Sequence, residues 1–396
     1  MHASWPDLDA SLQALLPEVR ALRRTFHAAP ELSLHEHETQ RTILEYLTAL
    51  GLTEVGAIAG TGVKAVVRAK TGSGTPVALR ADMDALPVEE RSNAAYASRR
   101  KGVMHACGHD GHMAMLLALA KWLTSNPERQ RDDVVLLFQP AEEGFGGAAR
   151  MLAEGGLRDP KVEAIFGLHL NPELPVGHLG CLTGAMLAAV HDFDVVFSGR
   201  GGHAAMPHHA DDLLACIAEL VQTLHFLVAR RVDPFSQAVL TIGRIDGWAG
   251  RNVLPERLAL EGTLRTRDDG VAASLRELLS ETVDQVARVH GVRAELHWVR
   301  HYPSLRNHPG LVGGLAEMVG PKLVPMTPLM GGEDFAFYQA EVPGLFVFVG
   351  TRDETAGTVH PLHSPGFDFD EAALLTGVAL LRDILVGRCH RRWLAG

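Results

Sequence analysis

Between Asp133 and Gln139 the chain reads Asp-Val-Val-Leu-Leu-Phe-Gln, then runs into Pro140-Ala141-Glu142-Glu143. A strand apolar on both sides must be covered on both faces, as is an inner strand of a mostly parallel sheet with helices above and below. Neighbouring segments agree with that constraint. Val63–Ala69 and Val77–Ala81 read as strands, Gly111–Leu123 as an apolar helix, and Ala164–His169 as another short buried strand. Strand, helix and strand in alternation, with polar residues just past the strand ends, is the pattern of an open α/β sheet. Helical spacing of Leu8, Leu12, Leu15, Leu16, Val19 and Leu22 predicts a helix over Leu8–Arg24, and a second runs from Glu36 to Leu50, ended by Gly51.

Near Gly184–Ala189 the period changes. His191–Ser198 alternates through Phe193, Val195 and Phe197, as a half-exposed antiparallel strand does. An amphipathic helix follows over Asp211–Arg231, then strands at Ala238–Ile245 and Leu258–Arg267, a helix at Val271–His290 and a strand at Arg293–Val299. This β-α-β-β-α-β order fits a small α+β, ferredoxin-like sandwich. Buried α/β character returns with a strand at Leu345–Val349 and a helix at Glu371–Val386. The expected class is therefore α/β, with a mixed-sheet domain over 1–186 and 299–396 interrupted by an inserted domain at 187–298.

The surface narrows the partners. Against 47 acidic residues stand 37 basic ones, a formal net charge of -10, which matches polyanions poorly and speaks against nucleic acid. No apolar stretch is long enough to span a bilayer, and Met1–Asp7 lacks a basic region followed by an apolar one, so neither a membrane nor a secretory signal is expected. Cys107, Cys181, Cys216 and Cys389 are widely separated, without a CxxC pair, as free thiols in a reducing cytoplasm would be.

Four polar clusters carry the chemistry. In Met104-His105-Ala106-Cys107-Gly108-His109-Asp110-Gly111-His112, an extended Cys-Gly-His turns Cys107 and His109 toward one point, a good donor pair for a borderline-soft ion. Glu142 and Glu143 follow an apolar strand, where a buried charge needs a partner. Their side chains diverge, so one can ligate a metal while the other handles protons. His169 closes a buried strand, and His363 lies in His360-Pro361-Leu362-His363-Ser364-Pro365. Each alone has a plainer explanation: a buried thiol, a surface glutamate pair, a hydrogen-bonded histidine. Together they bring five N, S or O donors to strand ends of one sheet, too many for one tetrahedral ion and suited to two.

With these motifs the sequence resembles the hippurate hydrolase and auxin-conjugate hydrolase branch of the M20 zinc aminoacylase/carboxypeptidase family. The resemblance runs through nearly the whole chain: Arg23-Arg24 with His27 and Pro30-Glu31-Leu32, Arg80-Ala81-Asp82-Met83-Asp84-Ala85-Leu86-Pro87, Met104 to His112, and Gln139 to Glu143. It continues through Gly199 to His203 with Pro207-His208, Asn252 to Pro255, Gly332 to Phe335, and Leu362-His363 with Pro365. It implies a zinc-peptidase-like catalytic domain with an inserted lid or dimerisation domain, in a homodimer or higher homo-oligomer. It implies Cys107, His109, Glu143, His169 and His363 as ligands of two divalent ions (Zn, Mn, Co or Ni). Glu142 becomes the general base toward the attacking water, and Asp84 a group standing behind the ligands. In the inserted domain His203 would donate to the oxyanion, with Asn252 and Arg265 on the substrate carboxylate. The implied substrate is a small N-acyl amino acid, cut at its amide bond. Two departures from the family pattern, Trp248 before the Asn252 motif and Leu170-Asn171-Pro172 after His169, bear on the acyl group.

Three other readings compete with it. A cysteine hydrolase would use Cys107 as nucleophile and a nearby His as base, although no third residue that would orient the pair is identifiable. A non-catalytic binding protein would have lost a ligand or the base, and every such position is filled. A dipeptidase or aminopeptidase on the same two-metal site would need an acidic residue for the substrate ammonium, and none stands out.

Overall fold

Val134–Gln139 forms an inner strand buried along its whole length, antiparallel to Gly62–Val67 and parallel to Val77–Asp82. The structure, a computed structural model, describes residues 8–70, 74–144, 146–247, 249–387 and 389–395. Met1–Asp7, Trp248 and the Cys389 side chain lie outside that description. The described chain divides into two compact units, the first made of its residues within 8–184, 306–327 and 334–395.

The first unit is built on a mixed eight-stranded sheet. In spatial order its strands are Glu54–Ile58, Gly62–Val67, Val134–Gln139, Val77–Asp82, Ala164–Pro175, Gly344–Arg352, Leu179–Gly180 and Leu323–Val324. The four central strands run parallel, so their carboxyl ends share one edge, where open α/β sheets place their sites. The expected helix over Gly111–Leu123 is longer, His109–Ser125, and is buried on nearly every side from His109 to Leu123. An apolar helix of this kind is a core element rather than a surface one. It ends where Asn126 returns its side-chain amide to the Trp122 carbonyl, 2.8 Å away, just before Pro127. The single helix expected over Leu8–Arg24 is two, Ala10–Gln13 and Leu16–Ala28. Pro17 has no N–H to return to the preceding turn, so the first helix cannot run on into the second.

The second unit holds Ala185–Leu305 and Pro328–Glu333. Its strands Ala189–Ser198, Ala238–Asp246, Arg257–Thr266 and Arg293–Tyr302 form an antiparallel sheet whose spatial order is second, third, first, fourth. With helices Leu213–Arg231 and Asp269–His290 between them, this is the ferredoxin-like β-α-β-β-α-β arrangement. Phe193, Val195 and Phe197 pack with Leu220, Leu224, Leu279 and Val283 beneath the helices. The strand Arg293–Tyr302 alternates exposed and half-buried residues. Compared with the expected 187–298, the unit runs on to Leu305 because its last strand continues past a bulge at Trp298/Arg300 to Tyr302. Pro328–Glu333 joins it because Leu329 N donates to Met186 O and Ala188 N to Gly331 O. Leu213–Arg231 is the only described helix long and apolar enough to cross a membrane by length and composition, and its apolar residues Leu213, Cys216, Ile217, Leu220, Leu224 and Leu227 belong to the buried cluster.

Candidate functional site

The site grows from the shared carboxyl edge of the first unit's parallel strands. After Gln139 the chain turns through Ala141, a non-glycine residue at φ 56°, and presents Glu142 and Glu143. A left-handed alanine is unfavourable by itself. It is held here by buried Glu36, which accepts from Ala141 N at 2.9 Å, and by Asp84, which accepts from Glu142 N at 3.1 Å and Glu143 N at 3.0 Å. Asp84 also takes the Ser33 hydroxyl at 2.6 Å. The backbone carbonyl of the same residue holds His109 Nδ1 at 2.8 Å, which leaves His109 Nε2 for something else.

Cys107 and His109 do converge, although not through an extended Cys-Gly-His. Gly108 sits at φ 88°, a left-handed turn open to glycine, and His109 opens the long helix. His169 differs from its expected place too. Its strand continues to Pro175, so the residue is mid-strand, just beyond the Arg80–Gly167 pair that ends the ladder with Val77–Asp82. His169 Nδ1 bonds to Leu170 O at 2.8 Å, and its Nε2 faces the Cys107 sulfur at 3.4 Å. His363 is not at a strand end either. It lies in a later loop at φ 62°, pinned by donating its N–H to Ala106 O at 2.8 Å, and its Nε2 is 3.4 Å from Glu143 Oε1.

Donor atoms of Cys107, His109 and His169 lie within 4.8 Å of one another, as do those of Cys107, Glu143 and His363, and of His109, Glu142 and Glu143. Buried His109 Nε2 has no hydrogen-bond partner, although buried polar atoms normally have one, and Glu143 Oε1, 3.9 Å from it, has only the long, poorly aligned contact with His363 Nε2. Burial, then the Glu143 and Glu142 carboxylates, pushes the Cys107 thiol well up. Burial works against a charged His109, yet Asp82 and Asp84 raise it to about 10. Burial and the neighbouring His112 drive His169 well down. A divalent cation fits this set: it would give His109 Nε2 a partner and offset crowded negative charge.

Among the described residues, Asp82, His109 and His112 form another trio at metal-ligand distances. Asp82 and His112 are engaged with each other and with protein groups: His112 Nδ1 to Asp82 Oδ1 at 2.6 Å, and Arg80 to Asp82 Oδ2 at 2.6 Å. Neither residue stands out as a ligand in the sequence, although His112 lies three residues after His109 on the same helix face. Nor does the sequence announce the buried anchor beneath the helix start. Arg23 donates to Asp110 at 2.8 Å, and His27 Nδ1 meets the same carboxylate oxygen at 2.8 Å. Burial opposes charge on His27, but Asp110 and Glu90 raise it to about 9. That stabilisation is fully present below the unfolded-state value near 6.5 and is lost as pH rises through 9. The stability margin of the wild type over His27→Gln should therefore shrink by about 3 kcal/mol between pH 6 and pH 10. A margin in urea unfolding that stays flat across that range would show His27 to be neutral.

His203, Asn252 and Arg265 belong to the second unit. His203 pairs with Val253 in a two-residue ladder, and Ala204 N donates to Asn252 O at 3.0 Å. The two side chains line one cavity of about 550 Å³ with Gly202, Gly247 and Arg257. His203 Nδ1 accepts from Ala205 N at 3.1 Å, so a neutral ring carries its proton on Nε2 as a free donor. Arg265 donates to Met330 O at 3.0 Å, a bond that holds Pro328–Glu333 to the sheet.

Comparison with known proteins identifies the group to which this chain belongs. Residues 78–386 match peptidase family M20/M25/M40. The chain is a member of that family. It is 37% identical over 368 residues to the N-acetyl-L-cysteine deacetylase of Bacillus subtilis, covering 92% of this chain and 86% of that one. It is 37% identical over 370 residues to IAA-amino acid hydrolase ILR1-like 2 of Arabidopsis thaliana, covering 91% and 82%. A solved dinuclear metal-binding M20 peptidase from Bacillus subtilis aligns with TM-score 0.80 and 32% identity, over 96% of this chain and 99% of that one. As an M20 member the chain is a metal-dependent amide-bond hydrolase, which sets aside the cysteine-nucleophile and non-catalytic readings. The family and the donor clusters together support two divalent ions.

Proposed function

We propose that this M20 enzyme hydrolyses the amide bond of small N-acyl amino acids, using Cys107, His109, Glu143, His169 and His363 to hold two divalent ions. The observation that carries the reading is a pair of donor trios that share Cys107, one with His109 and His169 and one with Glu143 and His363, in which buried His109 Nε2 has no hydrogen-bond partner. The names of the bacterial deacetylase and the plant hydrolase support the substrate class. When bound, the ions would polarise the acyl oxygen and lower the pKa of water toward ~7.

The chain's residues supply the remaining steps. Glu142 takes the proton of the attacking water and delivers it to the leaving amine as the C–N bond breaks. His203, with its Nε2 proton, donates to the oxygen on which negative charge develops. Asn252 and Arg265 hold the substrate carboxylate, with Arg265 offering the guanidinium nitrogen Nη2, since Nε bonds to Thr263 Oγ1 and Nη1 to Met330 O. The products are a carboxylic acid and a free amino acid. The inserted unit serves as lid and dimerisation domain.

The test is hydrolysis of hippurate, N-acetyl amino acids, an indole-acetyl amino acid and two dipeptides. Each is assayed before chelation, after it, and after adding back Zn, Mn, Co or Ni. Free amino acid should appear from the acylated substrates, cease on chelation and return with metal. Cleavage of the dipeptides alone would replace the acyl reading with an exopeptidase one. Activity that persists after the ions are demonstrably stripped would overturn the mechanism.

A further inference from the structure

The ladder between Val77–Asp82 and Ala164–Pro175 stops at the Arg80–Gly167 pair, just before the strand reaches His169. Past that point the N–H of Leu170, the residue after His169, goes to a side chain: it donates to His112 Nε2 at 2.9 Å. An Nε2 that accepts leaves the imidazole proton on Nδ1, and there Asp82 Oδ1 receives it at 2.6 Å. Arg80 occupies the other Asp82 oxygen at 2.6 Å. His112 is buried, held in one tautomer from both ends, and has no ring nitrogen left for an ion. In this it differs from His109, whose Nε2 has no hydrogen-bond partner.

Helix and strand come this close because residue 111 is glycine. A Cβ there would stand 2.8 Å from Leu170 Cδ1 and 2.8 Å from Phe369 Cζ, inside van der Waals contact. The peptide that His112 grips is also the one that aims His169. The His169 ring packs 4.7 Å from the His112 ring, and its Nδ1 is bound to the carbonyl of Leu170. Its Nε2 is thereby set toward Cys107.

We propose that His112 is a positioning residue for the metal ligand His169, taking over the lost strand partner at Leu170 and so fixing the direction of His169 Nε2. This rests on the reading of His169 as a ligand. Residues oriented in this way by hydrogen bonds typically lose metal affinity about 10- to 100-fold when the orienting group is removed.

Two substitutions separate the two ends of the imidazole. His112→Gln places an amide oxygen near the position of Nε2 and can still accept from Leu170. His112→Asn keeps a donor near the position of Nδ1 for Asp82 but leaves the Leu170 N–H without a partner. The experiment is a stepwise Co(II) titration of each chelator-stripped protein, followed by thiolate-to-cobalt absorption and by cobalt content, with thermal unfolding of the stripped proteins alongside. His112→Asn is expected to bind one of its two ions about 10- to 100-fold more weakly, with the thiolate band altered, while His112→Gln titrates close to wild type. Wild-type cobalt affinity in His112→Asn overturns the proposal. So do equal losses in both variants that follow their loss of thermal stability, because His112 would then be structural only. A wild-type protein that takes up two ions without any thiolate band overturns the ligand set itself, and this inference with it.

Discussion

Replacing Glu142 by glutamine is expected to leave two ions bound per chain and to lower kcat by roughly 10²- to 10⁴-fold, the usual contribution of a positioned acid–base group. In barrier height this is about 3–5 kcal/mol. The substitution keeps the shape of the side chain and spares the backbone bond from residue 142 to Asp84, so the loop that carries Glu143 should keep its form. What disappears is the ability to accept a proton and return it. Glu142 also stands within donor distance of His109 and Glu143, which makes metal content the deciding companion measurement. Glu143→Gln should give the converse result, weakened metal binding first and lost turnover as its consequence. Should Glu142→Gln lose an ion while Glu143→Gln keeps both, the two glutamates have exchanged roles. Near-normal kcat in Glu142→Gln would remove it as the base.

The parts of the fold legible in the sequence are those that burial forces to be apolar. Val134–Gln139 and the helix beginning at His109 are covered on nearly all sides, so their residue types betray them. Glu54–Ile58 is an edge strand, mostly exposed and interrupted by Gly56, and no periodicity announces it. Gly147–Ala153 is too short, and Pro309–Val319 too rich in glycine, to read as helices from pattern alone. The proposed ligands stand out in the sequence through motifs, and four of them are buried or nearly so. Their supports do not. Asp82 and His112 meet across the sequence where the helix settles on Leu170 beside Gly111, and Glu36 reaches Ala141 from far away in sequence. Such pairings depend on where a strand ladder ends and how close a helix can come, which no local pattern encodes.

Asp84 should show the largest combined effect on stability and metal affinity. Its carboxylate is buried and receives Glu142 N, Glu143 N and the Ser33 hydroxyl, with His109 Nδ1 3.4 Å from Oδ1. Burial alone would favour the neutral acid, but His109 and Ser33, with the Glu143 N–H, hold it below the usual carboxylate range. Asp84→Ala removes an acceptor shared by two backbone N–H groups inside the protein. Each unsatisfied group costs about 1–3 kcal/mol, so a loss of roughly 3–5 kcal/mol is expected in urea unfolding of the chelated protein. The same change frees the Glu142–Glu143 loop and loosens His109, which should weaken metal binding about 10- to 100-fold. Asp84→Asn refines the result. An amide has one acceptor oxygen where the carboxylate has two, so its NH₂ must face a donor, and an intermediate loss is expected in both measurements. Stability that falls while both ions bind as in wild type would mean that Asp84 holds the loop without orienting the ligands.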